Sequence, residues 1–492
     1  MAADIDRVCA AAVDGRLRNP IWRKEQLFQL HQAFAKDADK IQAAILQDSH
    51  GSVAEVAVEL RLALDALKKC YLSLDLDKEL EMEYRIAKGL DDQDRSDCPG
   101  LVYIEPTPHT MFFSVVAALA PAIAAGNCVI LLLENTMRAV PTLLRTMLPP
   151  ALDSDIFSIA RTKVADPDVL SKCTQVLQNG IDAVSTVFHL VSQPNGLVVA
   201  VVDRTADITQ AAQALVMARF AYGSASPYAP GLVLVHETVK KQFLLETMKH
   251  SIRMLPEHSL ASGKQRNQFS NGDPAGNLHS GQDKDGVRII FPSSAAAIVE
   301  VENRDSSLAQ KLSEQCLCVC SITSLDDAID FSNRYVLSES PIACFAFASA
   351  QAAKYICQYV RSDIGFVNHI PFELLVGPAA PINRPFSLES RYCPSFFSKP
   401  TPRFVKSSAQ SILFQAAVLE SNEVAISRIL EGAVEKLPEP KRPKRLIPRG
   451  FFEEGVRTGA IVVFSPLLIS MTAAGYFGAK ALYYRVLQYP RI

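Results

Sequence analysis

The chain has 492 residues, more than one hydrophobic core ordinarily organises, so two or three packed domains with short appended segments are expected. Its 50 Lys and Arg against 52 Asp and Glu leave a formal net charge of -2, which excludes a global electrostatic drive toward nucleic acid; any partner has to be argued locally. Eleven Cys accompany an N-terminus, MAADIDRVCAAAVDGRLRN, of mixed charge and without an apolar run, so thiols in a reducing, cytosolic setting are expected rather than disulfides.

The first ninety residues read as helices, with apolar residues at helical spacing over 21–46 and again over 53–74. After a charged break, LVYIE is a short strand, FFSVVAALAPAIAA a small-residue helix, Gly126-Asn127 a turn and CVILLL a buried strand. That alternation predicts layered α/β structure. It continues with LVVAVVD at 197–203, a helix through Met217 and GLVLVH at 231–236, then breaks at a Gly/Asn/Ser-rich surface excursion near 256–286. Beyond it come RIIFP, AAIVEVE, CLCVCSI, a helix from Leu325, CFAFA and a helix leading into IGFVNH. In CLCVCSI, Cys316, Cys318 and Cys320 share one face of a strand; their spacing is not that of a structural zinc site, so buried thiols and no metal are expected.

After Phe404 one amphipathic helix is expected over 408–437, followed by the Pro-rich linker EPKRPKRLIPRG. Residues 458–479, TGAIVVFSPLLISMTAAGYFGA, carry no formal charge, and at about 1.5 Å per residue they can cross a hydrocarbon core of roughly 30 Å. A single-pass helix near the C-terminus is therefore expected. Lys441, Arg442, Lys444, Arg445 and Arg449 precede it, which by the positive-inside tendency places the main body in the cytosol and offers charge to anionic lipid.

In the order in which they occur, RKEQL, YIEP, AIAAGNCVIL, VVDRTADI, APGLVLVH, SLDDAIDFSN and GFVNH resemble landmarks of the aldehyde dehydrogenase superfamily, on the branch that includes membrane-tailed fatty aldehyde dehydrogenases. The likeness covers about 23–405. It implies an α/β fold made of a Rossmann-type nucleotide-binding domain, here truncated, and an α/β catalytic-type domain, with a C-terminal transmembrane helix. The expected division is 1–200 for N-terminal helices and the degenerate Rossmann-like domain, 201–385 for the catalytic-type domain, 386–407 for an oligomerisation-like arm, 408–457 for helix and linker, and 458–479 for the membrane helix.

The resemblance also says which chemistry the chain lacks. The family's nucleophile lies in a phrase like GQTCxAP; here GSASPYAP puts Pro227 in its place, and the neighbouring Ser226 has no evident base. Gln193, in HLVSQPNGLVV, falls near the general base of LELGGK, and an amide cannot accept that proton. His109 falls near the oxyanion Asn of PWNYP, although alignment on YIEP implies a deletion there. The phosphate turn TGSxxVG and its helix have no counterpart between Leu177 and Pro194. Leu132 replaces the ribose-contacting Lys of VLKPSE, and Lys311 replaces the Glu of EIFGP, with Glu314 out of register. Asn368 is retained as a pocket residue. Cys344 and Cys393 are possible relocated thiols without a visible His or acid partner.

These substitutions lead to an expectation of a membrane-anchored, catalytically inactive homologue acting as a binding or scaffold subunit. No cofactor is expected, and the resemblance implies a homodimer or a heterodimer with an intact relative, through the region 394–405. Two alternatives differ in class: NAD- or NADP-dependent oxidation of a hydrophobic aldehyde to an acid, and a non-catalytic carrier of an aldehyde or acyl group.

Overall fold

A computed structural model describes residues 2–49, 51–90, 96–180, 189–194, 196–254, 287–291, 297–302, 316–334, 341–400, 408–437 and 451–487. The excursion at 256–286, Lys311, Glu314 and the basic cluster at 441–449 lie outside the described residues. The chain divides into a unit of 1–404 and a second of 405–492.

In the first unit, helices α1 (Ala2–Asp14), α2 (Pro20–Lys36), α3 (Ala38–Ser49), α4 (Val53–Ser73) and α5 (Leu76–Ala87) account for the N-terminal apolar periodicity. The stretch 21–46 is two helices rather than one, because the α2 repeat closes at Asp37, whose amide bonds back to the carbonyl of Ala33. Ser52 and Glu55 form a reciprocal capping box at the start of α4, with Ser52 N to Glu55 Oε2 at 2.7 Å and Glu55 N to Ser52 Oγ at 3.2 Å.

Two sheets follow, the first parallel and the second mixed. The first takes β2 (Leu101–Glu105), β3 (Cys128–Leu132), β4 (Phe157–Ala160), β5 (Thr174–Leu177) and β6 (His189–Val191) in the order β4-β3-β2-β5-β6, after the short β1 (Ser96–Asp97). Helix α6 (Met111–Ala124) joins β2 to β3, and α7 (Ala139–Ala151) and α8 (Pro167–Lys172) make the next two crossovers. Every residue of α6 from Phe112 to Ala124 is buried. Its Ala, Val and Leu side chains let α4 and β3 pack closely against it.

The second sheet has seven strands, β7 (Val198–Val202), β8 (Leu232–His236), β9 (Val287–Phe291), β10 (Ala297–Val301), β11 (Cys316–Ile322), β12 (Ala343–Phe347) and β13 (Gly365–Val367), in the order β13-β12-β7-β8-β11-β10-β9. All its pairings are parallel except β9 with β10. Helices α9 (Ile208–Phe220), α10 (Lys240–Met254), α11 (Leu325–Arg334) and α12 (Ala350–Tyr359) complete the unit. Strands buried on both faces read as continuous apolar runs, as β3, β7 and β12 do. The boundary expected at 200 needs correction: it falls inside β7, which is hydrogen-bonded between β12 and β8, so the second sheet starts at Val198. In the arm, β14 (Lys399–Pro400) pairs antiparallel with β1 of the same chain.

In the second unit, 408–437 is not one helix. Ser421 takes φ 50, and Asn422 caps a new start by accepting from the amides of Val424 and Ala425, so α13 (Ala409–Leu419) and α14 (Glu423–Ala433) are separate. The final helix, α15 (Phe451–Leu487), is longer than 458–479 at both ends, and within it Gly455–Tyr484 is long and apolar enough to cross a membrane and is 0% buried. The hydroxyls of Ser470 and Thr472 return hydrogen bonds to the carbonyls of Leu467 and Leu468, which is how such groups are satisfied in an apolar surrounding.

Candidate functional site

The N-terminus of α6, the turn before β8 and the segment 372–377 meet in one place. His109 stands just ahead of α6, and its Nε2 lies 2.9 Å from the carbonyl oxygen of Leu375. A carbonyl only accepts, so Nε2 carries the proton. Thr110, at φ 40, accepts the amide of Gly377 on its Oγ1 at 2.7 Å. Gly377 itself is at φ 86, and a Cβ there would come within 2.4 Å of Phe113, so only glycine lets this segment lie against the helix start.

The free amides at a helix start are the usual place for an anion. Here a carboxyl of the chain itself takes that place. Glu59, on α4, is 2% exposed and its Oε1 accepts the Phe113 amide at 3.3 Å. Burial pushes its carboxyl up to about 7, against the pull of the Phe113 and Phe112 amides. Burial likewise lowers His109 to about 4, opposed by the Leu375 carbonyl and assisted by Arg391.

Tyr222 closes the other side. Its amide donates to Glu55 Oε1 at 2.7 Å, its hydroxyl to the Glu55 carbonyl at 3.2 Å, and its ring meets those of His109 and Phe372 at 5.9 and 5.7 Å. Tyr222, Gly223 and Ser224 all sit at positive φ, at 52, 63 and 64. Such a run is strained and is held by the Tyr222 contacts and by Ser224 Oγ donating to the Arg219 carbonyl at 2.7 Å. It delivers the chain to Ser226 and Pro227, both buried. Ser226 works as a turn residue: its Oγ accepts the Tyr228 amide at 3.3 Å and its carbonyl the Ala229 amide at 3.1 Å.

The remaining positions are dispersed. Gln193 is half-buried between β6 and β7. Leu132 ends β3 at 6% exposure, an apolar side chain turned into the core. Asn368, at φ 57, spends both ends of its amide on Ala348, accepting its N–H at 2.9 Å and donating to its carbonyl at 2.8 Å, so it clips the ends of β12 and β13 together. Only residues 178–188 join the parallel strands β5 and β6, fewer than such a crossover usually takes with a helix in it. Within them Gln178, 1% exposed, bonds the Thr107 amide at 3.0 Å and the Ser114 carbonyl at 2.8 Å. Cys316, Cys318 and Cys320 are buried core thiols, with burial the first cause that raises Cys316 and Cys318. Cys344 is buried beside Cys357, and Cys393 Sγ lies 3.0 Å from Ser395 Oγ. Among the described residues no cluster could hold a metal ion. Glu59, Tyr222 and Gln178 had not been singled out from the sequence; the readable sign was a glutamate on the same helical face as Val56, Leu60 and Ala63.

Two α/β bodies, one ending in an arm strand that returns to the other, define the aldehyde dehydrogenase fold. AldH of Staphylococcus aureus in its substrate-bound state matches with a TM-score of 0.63 at 17% identity, covering 83% of this chain and 94% of that one. The aldehyde dehydrogenase KauB of Pseudomonas aeruginosa matches with 0.62 at 14% identity, over 81% and 87%. The chain is a homologue of the aldehyde dehydrogenases and is similar to their family 3: it is 26% identical to aldehyde dehydrogenase family 3 member B1 of Rattus norvegicus over 396 residues, 73% of this chain and 80% of that protein. It is 20% identical over 377 residues to the dimeric NADP-preferring aldehyde dehydrogenase of Canis lupus familiaris, 70% of this chain and 80% of that one. No family model matches.

Proposed function

We propose that this chain is a membrane-anchored aldehyde dehydrogenase homologue that does not oxidise aldehydes and acts as a binding or scaffold subunit. The observation that carries the reading is Pro227: the buried turn that the resemblance matches to the family's nucleophile presents a pyrrolidine ring, and the Ser226 hydroxyl beside it is engaged with backbone. Loss of a covalent nucleophile alone costs on the order of 10⁶ in rate in a serine protease. Gln193 cannot take a proton, and Glu59 already occupies the helix start near which an oxyanion would be held. The short 178–188 connection and the apolar Leu132 argue against a bound NAD or NADP, and Lys311 in place of an acid argues the same way. Assembly as a homodimer, or as a heterodimer with an intact relative, is supported by the dimeric description of the canine protein. The apolar helix α15 is the anchor, with the main body on the cytosolic side.

The test is the purified full chain in lipid nanodiscs with a panel of hydrophobic aldehydes and either nucleotide. No reduced nucleotide should appear, and millimolar NAD or NADP should leave the melting temperature unchanged, whereas a ligand at 100 times its dissociation constant would stabilise by about 2.7 kcal/mol. Turnover that disappears with Ser226→Ala would overturn the reading.

A further inference from the structure

Arg391 is a cation that the fold buries without giving it an acid. The residue is 8% exposed; its Nη2 donates to the carbonyls of Leu374 at 3.2 Å and Val376 at 3.0 Å, and its guanidinium carbon stands 5.1 Å from the centre of the Tyr228 ring. Among the described residues no carboxylate pairs with it, and its Nε is buried without a hydrogen-bond acceptor. Two carbonyls and a ring face answer only part of a unit charge, and a buried ion lacking its partner is costly.

Two cavities meet at this residue. One, of about 190 Å³, reaches Cys70 on α4 and Ala117 and Pro121 on α6; the other, of about 370 Å³, opens past Leu62, Phe113 and Leu388. Ala66, Lys69, Ser390 and Arg391 line both. The acids at the wider mouth are committed elsewhere or stand apart: Asp65 pairs with Arg61, Glu389 with Lys69, and Glu373 makes no ion pair with Arg391.

We propose that this double cavity binds an amphiphilic carboxylate, with the head group on Arg391 and the alkyl chain against Leu62, Ala66 and Phe113. With Lys69 paired to Glu389, a desolvated guanidinium beside Leu62, Ala66, Phe113, Ala117 and Pro121 fits a fatty acid better than a phosphate: with Nη2 already used by two carbonyls, the fork offers too few donors for a dianion. The proposal deepens the binding-subunit reading and rests on it. Its readout is binding without nucleotide or aldehyde, so turnover would overturn that reading alone, and absent binding would overturn this one alone.

Full-length protein in nanodiscs is titrated calorimetrically with octanoate and with 1-octanol, empty nanodiscs being subtracted. Octanoate should saturate one site at least tenfold more tightly than octanol. Arg391→Met should collapse that ratio toward one. Because Arg391 also braces Leu374 and Val376, a second variant leaves it in place: Ala66→Phe, which fills the wall common to both cavities, should weaken octanoate at least tenfold. Equal affinity for octanoate and octanol, no saturable octanoate binding, or octanoate affinity untouched by Ala66→Phe would each overturn the proposal.

Discussion

At the scale of single residues, Glu59 and His109 face the same helix start and titrate with opposite consequences for stability. The native Glu59 carboxyl keeps its proton up to about 7, whereas an unfolded chain releases it near roughly 4.3. Between those values the native state binds more protons, so this group's contribution declines as pH rises. Native His109 stays neutral down to about 4, whereas in the unfolded chain it protonates below roughly 6.5, so its contribution rises with pH across that interval. From about 4.3 to 6.5 the two slopes oppose one another, and above that range only the Glu59 decline remains. Urea unfolding at stepped pH should therefore show a rising profile in Glu59→Gln and a steeper fall in His109→Gln; identical slopes in the two variants would refute this account. Of this pair, His109 was named from the sequence, but its partner Leu375 is 266 positions away and nothing local announces it; Glu59 was missed, although it lies on the apolar face of α4.

At the scale of elements, the turn from α6 into β3 depends on one side chain. Asn127, 0% exposed, accepts the Gly100 amide at 2.9 Å and donates to the carbonyls of Phe397 at 2.9 Å and Ala122 at 3.3 Å, so it ties together the starts of two strands and the arm. Asn127→Ala leaves those buried groups unsatisfied, and a loss of about 2–4 kcal/mol is expected in equilibrium unfolding. The turn was readable from Gly126-Asn127; what the Asn holds was not, since Phe397 is 270 residues distant. Strands β3, β7 and β12 were legible because an unbroken apolar run of five has few other places to go, whereas the shorter β4, β5 and β6 were not. The split of 408–437 was not, because a left-handed Ser421 leaves the helical periodicity on either side intact. In α15 the test is a charge near the middle: Ile469→Arg should cost about 2.5–3.5 kcal/mol of insertion free energy, read as protein extracted from membranes by alkaline carbonate.

At the scale of the molecule, sheet order carries what sequence order hides. Strands β6 and β7 are separated by only 192–197, yet they belong to different sheets, so the change of sheet falls just before Val198. The second unit begins after the arm, and its last described helix ends at Leu487. The Lys and Arg at 441–449 lie on the N-terminal side of α15. With α15 as the proposed anchor, the positive-inside tendency assigns the body and the basic linker to the cytosolic face and the C-terminal side of the helix to the other. Protease added outside sealed microsomes should then digest the body and leave a short C-terminal fragment protected, detectable by a tag placed after Ile492. Detergent should abolish that protection. A protected body would reverse the assigned side, and a fully digested tag in sealed vesicles would mean that α15 lies along the membrane surface without crossing it.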